Sequence, residues 1–209
     1  MTELASLTIA QLQGMRAIRP DLAAFADRLL VTSYEQFVDV LYQDLDACIR
    51  FMEDDPKVRL DDGEDRLTTE IIGQLKSRGY SATHDELVGG HSDIVVRYFD
   101  KYVWVAEAKI HSSYDYVGGG FDQLTTRYLR GTVNASEGAL LIYIRNADVA
   151  AVVKNWNAKL VERGLPDFSQ EVCPARGDLG FYNTHKHHSS GLPVRIRHVG
   201  ISLHWDPKK

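Results

Sequence analysis

Residues 91–109, HSDIVVRYFDKYVWVAEAK, decide how the rest of the chain is read. Asp93 opens an apolar, β-branched run, Ile94-Val95-Val96, and Asp100-Lys101 marks a reversal. A second run, Tyr102 to Ala106, then delivers Glu107-Ala108-Lys109. Two runs of β-formers around a polar turn predict a β-hairpin. Its charged residues stand where a core strand should be apolar. A buried carboxylate or amine is costly unless it is paired, metal-bound or functional. Asp93, Glu107 and Lys109 are therefore the candidate site. Glu107 and Lys109, two apart, point to one face of their strand. Asp93 joins that face only through a three-residue connection or a bulge. A two-residue turn at Asp100-Lys101 would pair it with Ala108 and send it to the opposite face.

Outward from the hairpin, the pattern alternates between helix and strand. On the N-terminal side, Tyr80–Glu86 reads as a strand leading to a Gly89-Gly90 turn. Before it, Glu64–Arg78 reads as a helix that Gly79 terminates. Leu67, Ile71 and Leu75 form its apolar stripe, and Glu64 falls on the same stripe. Glu70 lies well off it, by about 100°. Glu64 is either an acid aimed at the site or a first-turn carboxylate favoured by the helix dipole. Residues 6–55 read as helices with apolar stripes, the first capped within Ser6-Leu7-Thr8. The acidic Pro/Gly stretch 54–63 separates them from the helix that begins at Glu64.

On the C-terminal side, HSSYDYVGGG (111–120) reads as a loop and Phe121–Arg130 as a helix with Gln123 and Arg127 on one face. GALLIYIR (138–145) reads as a central strand covered on both sides. Asp148 caps a helix to Arg163, and a polar loop, Phe181–Gly191, precedes strands at Val194–Arg197 and Gly200–Trp205. The expected fold class is α/β: a central mixed sheet flanked by helices. The expected regions are a helical segment at 1–60, a core at 61–165 and a polar loop with a β tail at 166–209.

Two carboxylates and an ammonium on one strand face suit a hard cation. Oxygen ligands of this kind hold Mg²⁺, completed by water and a substrate phosphate. The chemistry that fits is phosphodiester hydrolysis. Placed on this order of elements, Glu64, Asp93 and Glu107-Ala108-Lys109 resemble the PD-(D/E)xK nuclease superfamily, of restriction-endonuclease-like fold, over roughly residues 64–145. Ser92 stands where that superfamily usually has proline. The resemblance implies that Asp93, Glu107 and the Ala108 carbonyl bind Mg²⁺, with Mn²⁺ as a substitute. It implies that Lys109 positions the attacking water and that Glu64 is an accessory acid. The products would carry a 5′-phosphate and a 3′-hydroxyl. Gln123 matches, loosely, a further catalytic position on the next helix. The nucleic acid contacts expected are Arg127, Arg130, Lys186, His187 and Arg195. DNA is the expected substrate, prokaryotic defence or mobile-element biology the expected setting, and a second copy or a protein activator the expected partner. The alternative is a non-catalytic nucleic-acid-binding or regulatory module that keeps the fold.

Composition sets bounds on these readings. The 209 residues, 44% hydrophobic, suffice for a full core. No apolar run reaches membrane-spanning length, and the first residues lack the basic and apolar regions of a signal peptide. Cys48 and Cys173, far apart, indicate neither a disulfide framework nor a cysteine zinc site, so a reducing, cytoplasmic setting is expected. The net charge of −5 is unevenly spread. Residues 1–110 hold 20 acids and 12 bases, a balance of −8, and residues 111–209 hold 9 acids and 12 bases, a balance of +3. Phosphate contacts are therefore expected from the second half, unless the split is only a feature of the solvated surface. His185-Lys186-His187-His188 reads as a surface loop before it reads as a zinc site, and Arg195 and Arg197 read as a solvated strand face. Tyr114, Tyr116 and Phe121 either cover the substrate or pack ordinarily. Gly118–Gly120 lacks the Lys-Ser/Thr of a phosphate-cradling loop.

Overall fold

The hairpin at the centre of the sequence closes through three residues. Strands Ile94–Tyr98 and Tyr102–Ile110 pair antiparallel, from Tyr98 opposite Tyr102 to Ile94 opposite Ala106. Phe99 and Asp100 both adopt the left-handed conformation (φ 47° and 53°), and the Lys101 N–H bonds the Tyr98 carbonyl at 3.1 Å. Two left-handed residues give the twist that a tight hairpin needs. Lys101 is the extra residue that shifts the register by one. Carried one step further, this register sets Asp93 opposite Glu107, the shared face that the site requires.

The computed structural model describes residues 7–84, 86–87 and 90–207. The chain divides into two units, Met1–Asp44 and Leu45–Lys209. The first holds α1 (Ile9–Gly14) and α2 (Pro20–Leu29), and α3 (Tyr34–Asp54) runs through the division. Thr8 caps α1 in a capping box with Gln11.

In the second unit, α4 (Glu64–Ser77) is followed by β1 (Ser81–Thr83), β2 (Glu86–Leu87), β3 (His91–Ser92), β4 (Ile94–Tyr98) and β5 (Tyr102–Ile110). Then come α5 (Tyr114–Gln123), β6 (Glu137–Ile144), α6 (Val149–Glu162), β7 (Ser169–Val172), β8 (Gly180–Lys186) and β9 (Pro193–Ser202). Gly79 ends α4 at φ +92°, and Leu67, Ile71 and Leu75 are buried. The expected strand at 80–86 is split between β1 and β2, and β2 pairs with β3 in a separate two-stranded sheet. Of the expected turn at Gly89-Gly90, Gly89 lies outside the described residues. The main sheet has seven strands in the order β1-β4-β5-β6-β9-β8-β7. Its centre, β5-β6-β9, is parallel, and both flanks are antiparallel. The chain is thus mixed α/β, with helices flanking a mixed sheet. Val105, Leu140, Ile142 and Ile196 meet Val117, Phe121 and Trp156 of α5 and α6 in one apolar cluster.

Three expectations are corrected. The stretch 111–120 is not a loop: Ser113 caps α5, accepting the Tyr116 N–H at 3.2 Å, and the three glycines lie inside the helix. The helix then passes into a π-helical turn, Leu124–Tyr128, with the Leu129 N–H bonded to the Leu124 carbonyl at 2.9 Å. The expected polar loop at 181–191 is confined to its second half: β8 occupies Gly180–Lys186 and pairs on both sides, and only residues 187–191 form a turn, exposed from His188 onward. The polar side chains of β8 bond one another instead of water. The Trp156 Nε1–H donates to His198 Nδ1 (3.0 Å), His198 Nε2–H to Asn183 Oδ1 (2.7 Å), and Asn183 Nδ2–H to His185 Nδ1 (2.9 Å). Finally, the two tail strands are one, β9, and Arg197 on it is fully buried against Asp46 at 2.8 Å. An ion pair through Nη2, not solvent, balances its charge. Among the described residues no helix is long and apolar enough to cross a membrane.

Candidate active site

The C-terminal end of β5 brings Glu107 and Lys109 to the face covered by α5, with Ala108 turned to the other side. Lys109 Nζ lies 2.6 Å from Glu107 Oε1, 3.2 Å from Glu64 Oε1 and 3.8 Å from Asp93 Oδ2. Asp93 sits at a bend between β3 and β4, and its Oδ2 accepts the Ala108 N–H at 2.8 Å. Glu64 opens α4 and reaches the end of β5, where Oε2 accepts the Ile110 N–H at 2.8 Å. It is a first-turn acid and a neighbour of the site at once. Glu70 is elsewhere, closed on the buried Arg59 at 2.5 Å.

Three carboxylates around one ammonium leave a net negative charge with little water to disperse it. Glu107 is 2% exposed. Burial, reinforced by the Asp93 charge and only partly offset by the bond to Lys109, pushes its carboxyl up to about 7. Burial also raises Asp93, against the opposing pull of the Ala108 N–H and Lys109. For Lys109, burial favours the neutral amine, but the bond to Glu107 and the charges of Glu107, Asp93 and Glu64 outweigh it. Its pKa therefore rises above the ordinary lysine value. Glu107 Oε2 is buried and has no hydrogen-bond partner among the described residues. An orphaned carboxylate oxygen in such a place is costly and calls for a cation or a donor.

Glycine lets α5 lie close over these groups. A Cβ at Gly120 would come within 2.8 Å of Lys109 Cγ and 3.3 Å of Glu107 Cγ. Tyr116, one turn earlier, places its hydroxyl 3.3 Å from Glu64 Oε2 and its ring 5.6 Å from the Lys109 ammonium. Lys109, Tyr116, Gly120, Gln123 and Arg127 line one open pocket of about 530 Å³. Sequence reasoning left Tyr116 undecided and passed over Gly120. Gly120 carried no signal while 111–120 read as a loop; once the three glycines are placed inside a helix, where each costs about 1 kcal/mol relative to alanine, they imply a close approach.

The structure thus brings Glu64, Asp93, Glu107, Lys109, Gln123 and Arg127 to one place. Arg130 and His187 line a second cleft that shares Arg127 with the first. Lys186 is exposed at the end of β8. Arg195 is already engaged, 3.0 Å from Glu171 and 3.5 Å from Glu137, with its guanidinium 3.8 Å over the Tyr182 ring. His185 and His187 are buried and do not form a metal cluster. Among the described residues no three His, Cys, Asp or Glu side chains make a ready metal cage. A cation held by Asp93 and Glu107 would need its remaining ligands from backbone, water or substrate, as Mg²⁺ commonly does. The hard oxygen set and the orphaned Glu107 Oε2 fit that role.

Comparison with protein-family models, curated proteins and solved structures gives no match.

Proposed function

We propose that this chain is a Mg²⁺-dependent endonuclease of the PD-(D/E)xK kind, with a restriction-endonuclease-like core, that hydrolyses phosphodiester bonds of DNA. One observation carries the reading: Asp93, Glu107, Lys109 and Glu64, from three separate elements, converge on a single point beside an open pocket. Asp93, Glu107 and the Ala108 carbonyl would hold the ion, with Mn²⁺ as a substitute. The ion would activate a water and neutralise charge growing on the phosphate. Lys109 orients that water and donates to the phosphate oxygens, while Glu64 and the Tyr116 ring hold the ammonium in place. Gln123 and Arg127 on the pocket wall contact the substrate. Water forms the new bond to phosphorus, the bond to the 3′ oxygen breaks, and the strand ends carry a 5′-phosphate and a 3′-hydroxyl. DNA as substrate and a role in prokaryotic defence or mobile-element biology rest on the resemblance alone.

Incubation of wild type and Lys109→Ala with plasmid and single-stranded DNA, in Mg²⁺, Mn²⁺ or chelator, tests the proposal. Cleavage should require the metal and fall at least ~100-fold in the variant, the scale expected for losing one transition-state donor. Equal cleavage by the two proteins would sink it. One feature favours the second reading, a module that binds without cutting: Lys109 is already satisfied by acids on three sides. On that reading calorimetry detects no Mg²⁺ binding beyond that of surface carboxylates. Partners in the proposal are an activating protein or a second copy, the latter supported by Phe25 and Leu29, exposed four residues apart on α2. A monomer by sedimentation at micromolar concentration removes the dimer.

A further inference from the structure

We propose that the cleft between the π-helical turn and the β8–β9 hairpin is a second phosphate subsite. In it the strand held at the catalytic pocket lays down a neighbouring backbone phosphate. The inference rests on the nuclease reading and adds the path of the substrate to it.

Charge gives the first argument. Nine of the described arginines close on a carboxylate within 3.0 Å. Arg127 and Arg130 do not. Both are exposed, three residues apart at the π-helical turn, and neither forms an ion pair with a described acid. Glu86 feels the charge of Arg130, but its carboxylate is already bonded to Thr83 at 2.5 Å and to Arg97 at 2.9 Å. What sets these two apart is their place: in a chain of net charge −5, two exposed guanidiniums without an ion-pair partner among the described acids wall one cleft, where phosphate oxygens would satisfy them.

Shape gives the second. The two arginines wall a cleft of about 250 Å³ with Leu129, His187, His188 and Ser189. It is a built feature. His187 is buried and its Nδ1 accepts the Ser190 N–H at 3.1 Å, which ties down the hairpin end. Gly131, at φ +61°, lies so close beneath that a Cβ there would come within 2.6 Å of both the His187 ring and Ser190 Oγ. The exposed His188 ring stands edge-on to His187 at 4.5 Å and adds a donor at the rim.

Continuity gives the third. Thr126 and Arg127 line both this cleft and the pocket that holds Lys109 and Gln123. Arg127 therefore stands at the junction of one trough with two stations: the proposed catalytic centre, acidic until a cation joins it and lined also by Asp115 and Asp122, and the cationic Arg127–Arg130 cleft. A polymer with a phosphate at every residue matches such a trough, whereas a lone phosphate monoester would use one station only. The contacts available are to phosphate and carry no base code, so the cleft sets position and affinity instead of sequence preference.

Fluorescence anisotropy with labelled single- and double-stranded oligonucleotides in chelator, across a salt series, tests the subsite without cleavage. Arg130→Ala should weaken binding several-fold and flatten the dependence of log affinity on log salt by about one phosphate contact. Arg130→Lys should restore most of the slope, and His188→Ala should weaken binding less. Because Arg130 is exposed, thermal unfolding of each variant should match wild type. If Arg130→Ala keeps wild-type affinity and slope while wild type still cleaves DNA in a Lys109-dependent way, the subsite is wrong and the nuclease reading stands. If wild type binds neither oligonucleotide and cleaves nothing, both fall. Displacement of the oligonucleotide by inorganic phosphate, beyond what chloride of equal ionic strength achieves, would make the cleft a site for free phosphate and overturn the polymer path.

Discussion

At the scale of single residues, the closest packing in the site belongs to a side chain that is not there. Gly120 gives α5 its approach to Lys109 and Glu107, so Gly120→Ala inserts one methyl where Lys109 Cγ is 2.8 Å away. Alanine favours the helix by about 1 kcal/mol, while overpacking costs about 1–3 kcal/mol. Urea unfolding should therefore shift by no more than ~2 kcal/mol. Lys109 or the helix, however, has to shift, and on the proposed function DNA cleavage should fall at least ~10-fold, because the reacting groups lose their alignment. Wild-type cleavage by Gly120→Ala would show that the helix has slack over the site.

At the scale of elements, legibility in the sequence depended on where polar groups find their partners. The hairpin, α4 and β6 were readable because their periodicity and their breakers agree. Glu107 and Lys109 were readable because charge in an apolar strand is conspicuous. Asp93 hung on one loop residue, Lys101, which no propensity fixes. Residues 181–186 were misread because Asn183 and His185 look solvated in sequence, yet with His198 they bond in a chain under Trp156. That chain has a pH signature. Burial pushes His185 down to about 4 and His198 down to about 3. In the unfolded chain both take up protons near pH ~6.5, so below that the unfolded state binds more protons and stability falls with pH. The expected slope is about 1.4 kcal/mol per pH unit for each imidazole. Glu107 and Asp93, both raised, oppose it, since their folded forms accept protons first. In a chain carrying Asp93→Asn and Glu107→Gln, unfolding free energy should drop on the order of 3 kcal/mol between pH 7 and pH 5. A flat profile by urea titration would mean that the imidazoles are not buried and neutral.

At the scale of the whole molecule, one ion pair ties together parts of the second unit that are remote in sequence. Arg197 on β9 bonds both oxygens of Asp46, at 2.8 and 2.9 Å, across 151 residues of chain. Removing one partner strands the other charge, so Arg197→Met should cost about 3–5 kcal/mol of stability. The double change Asp46→Leu, Arg197→Met should recover much of that, because well-packed apolar pairs often replace buried ion pairs at little cost. Recovery of nothing in the double variant would mean that the pair is worth its full energy in place.

The ammonium of Lys109 has a further consequence for how the molecule can be handled and kept. Because the chain carries its own counter-ion among Glu64, Asp93 and Glu107, its folding is expected to be independent of dissolved metal, unlike that of a small zinc domain. Expression and storage in chelator should leave the thermal midpoint where it is without added Mg²⁺ or Mn²⁺. On the proposed function, a divalent ion would then act as a licence for activity instead of a girder of the fold. A midpoint that collapses in chelator would show that the lysine is no substitute.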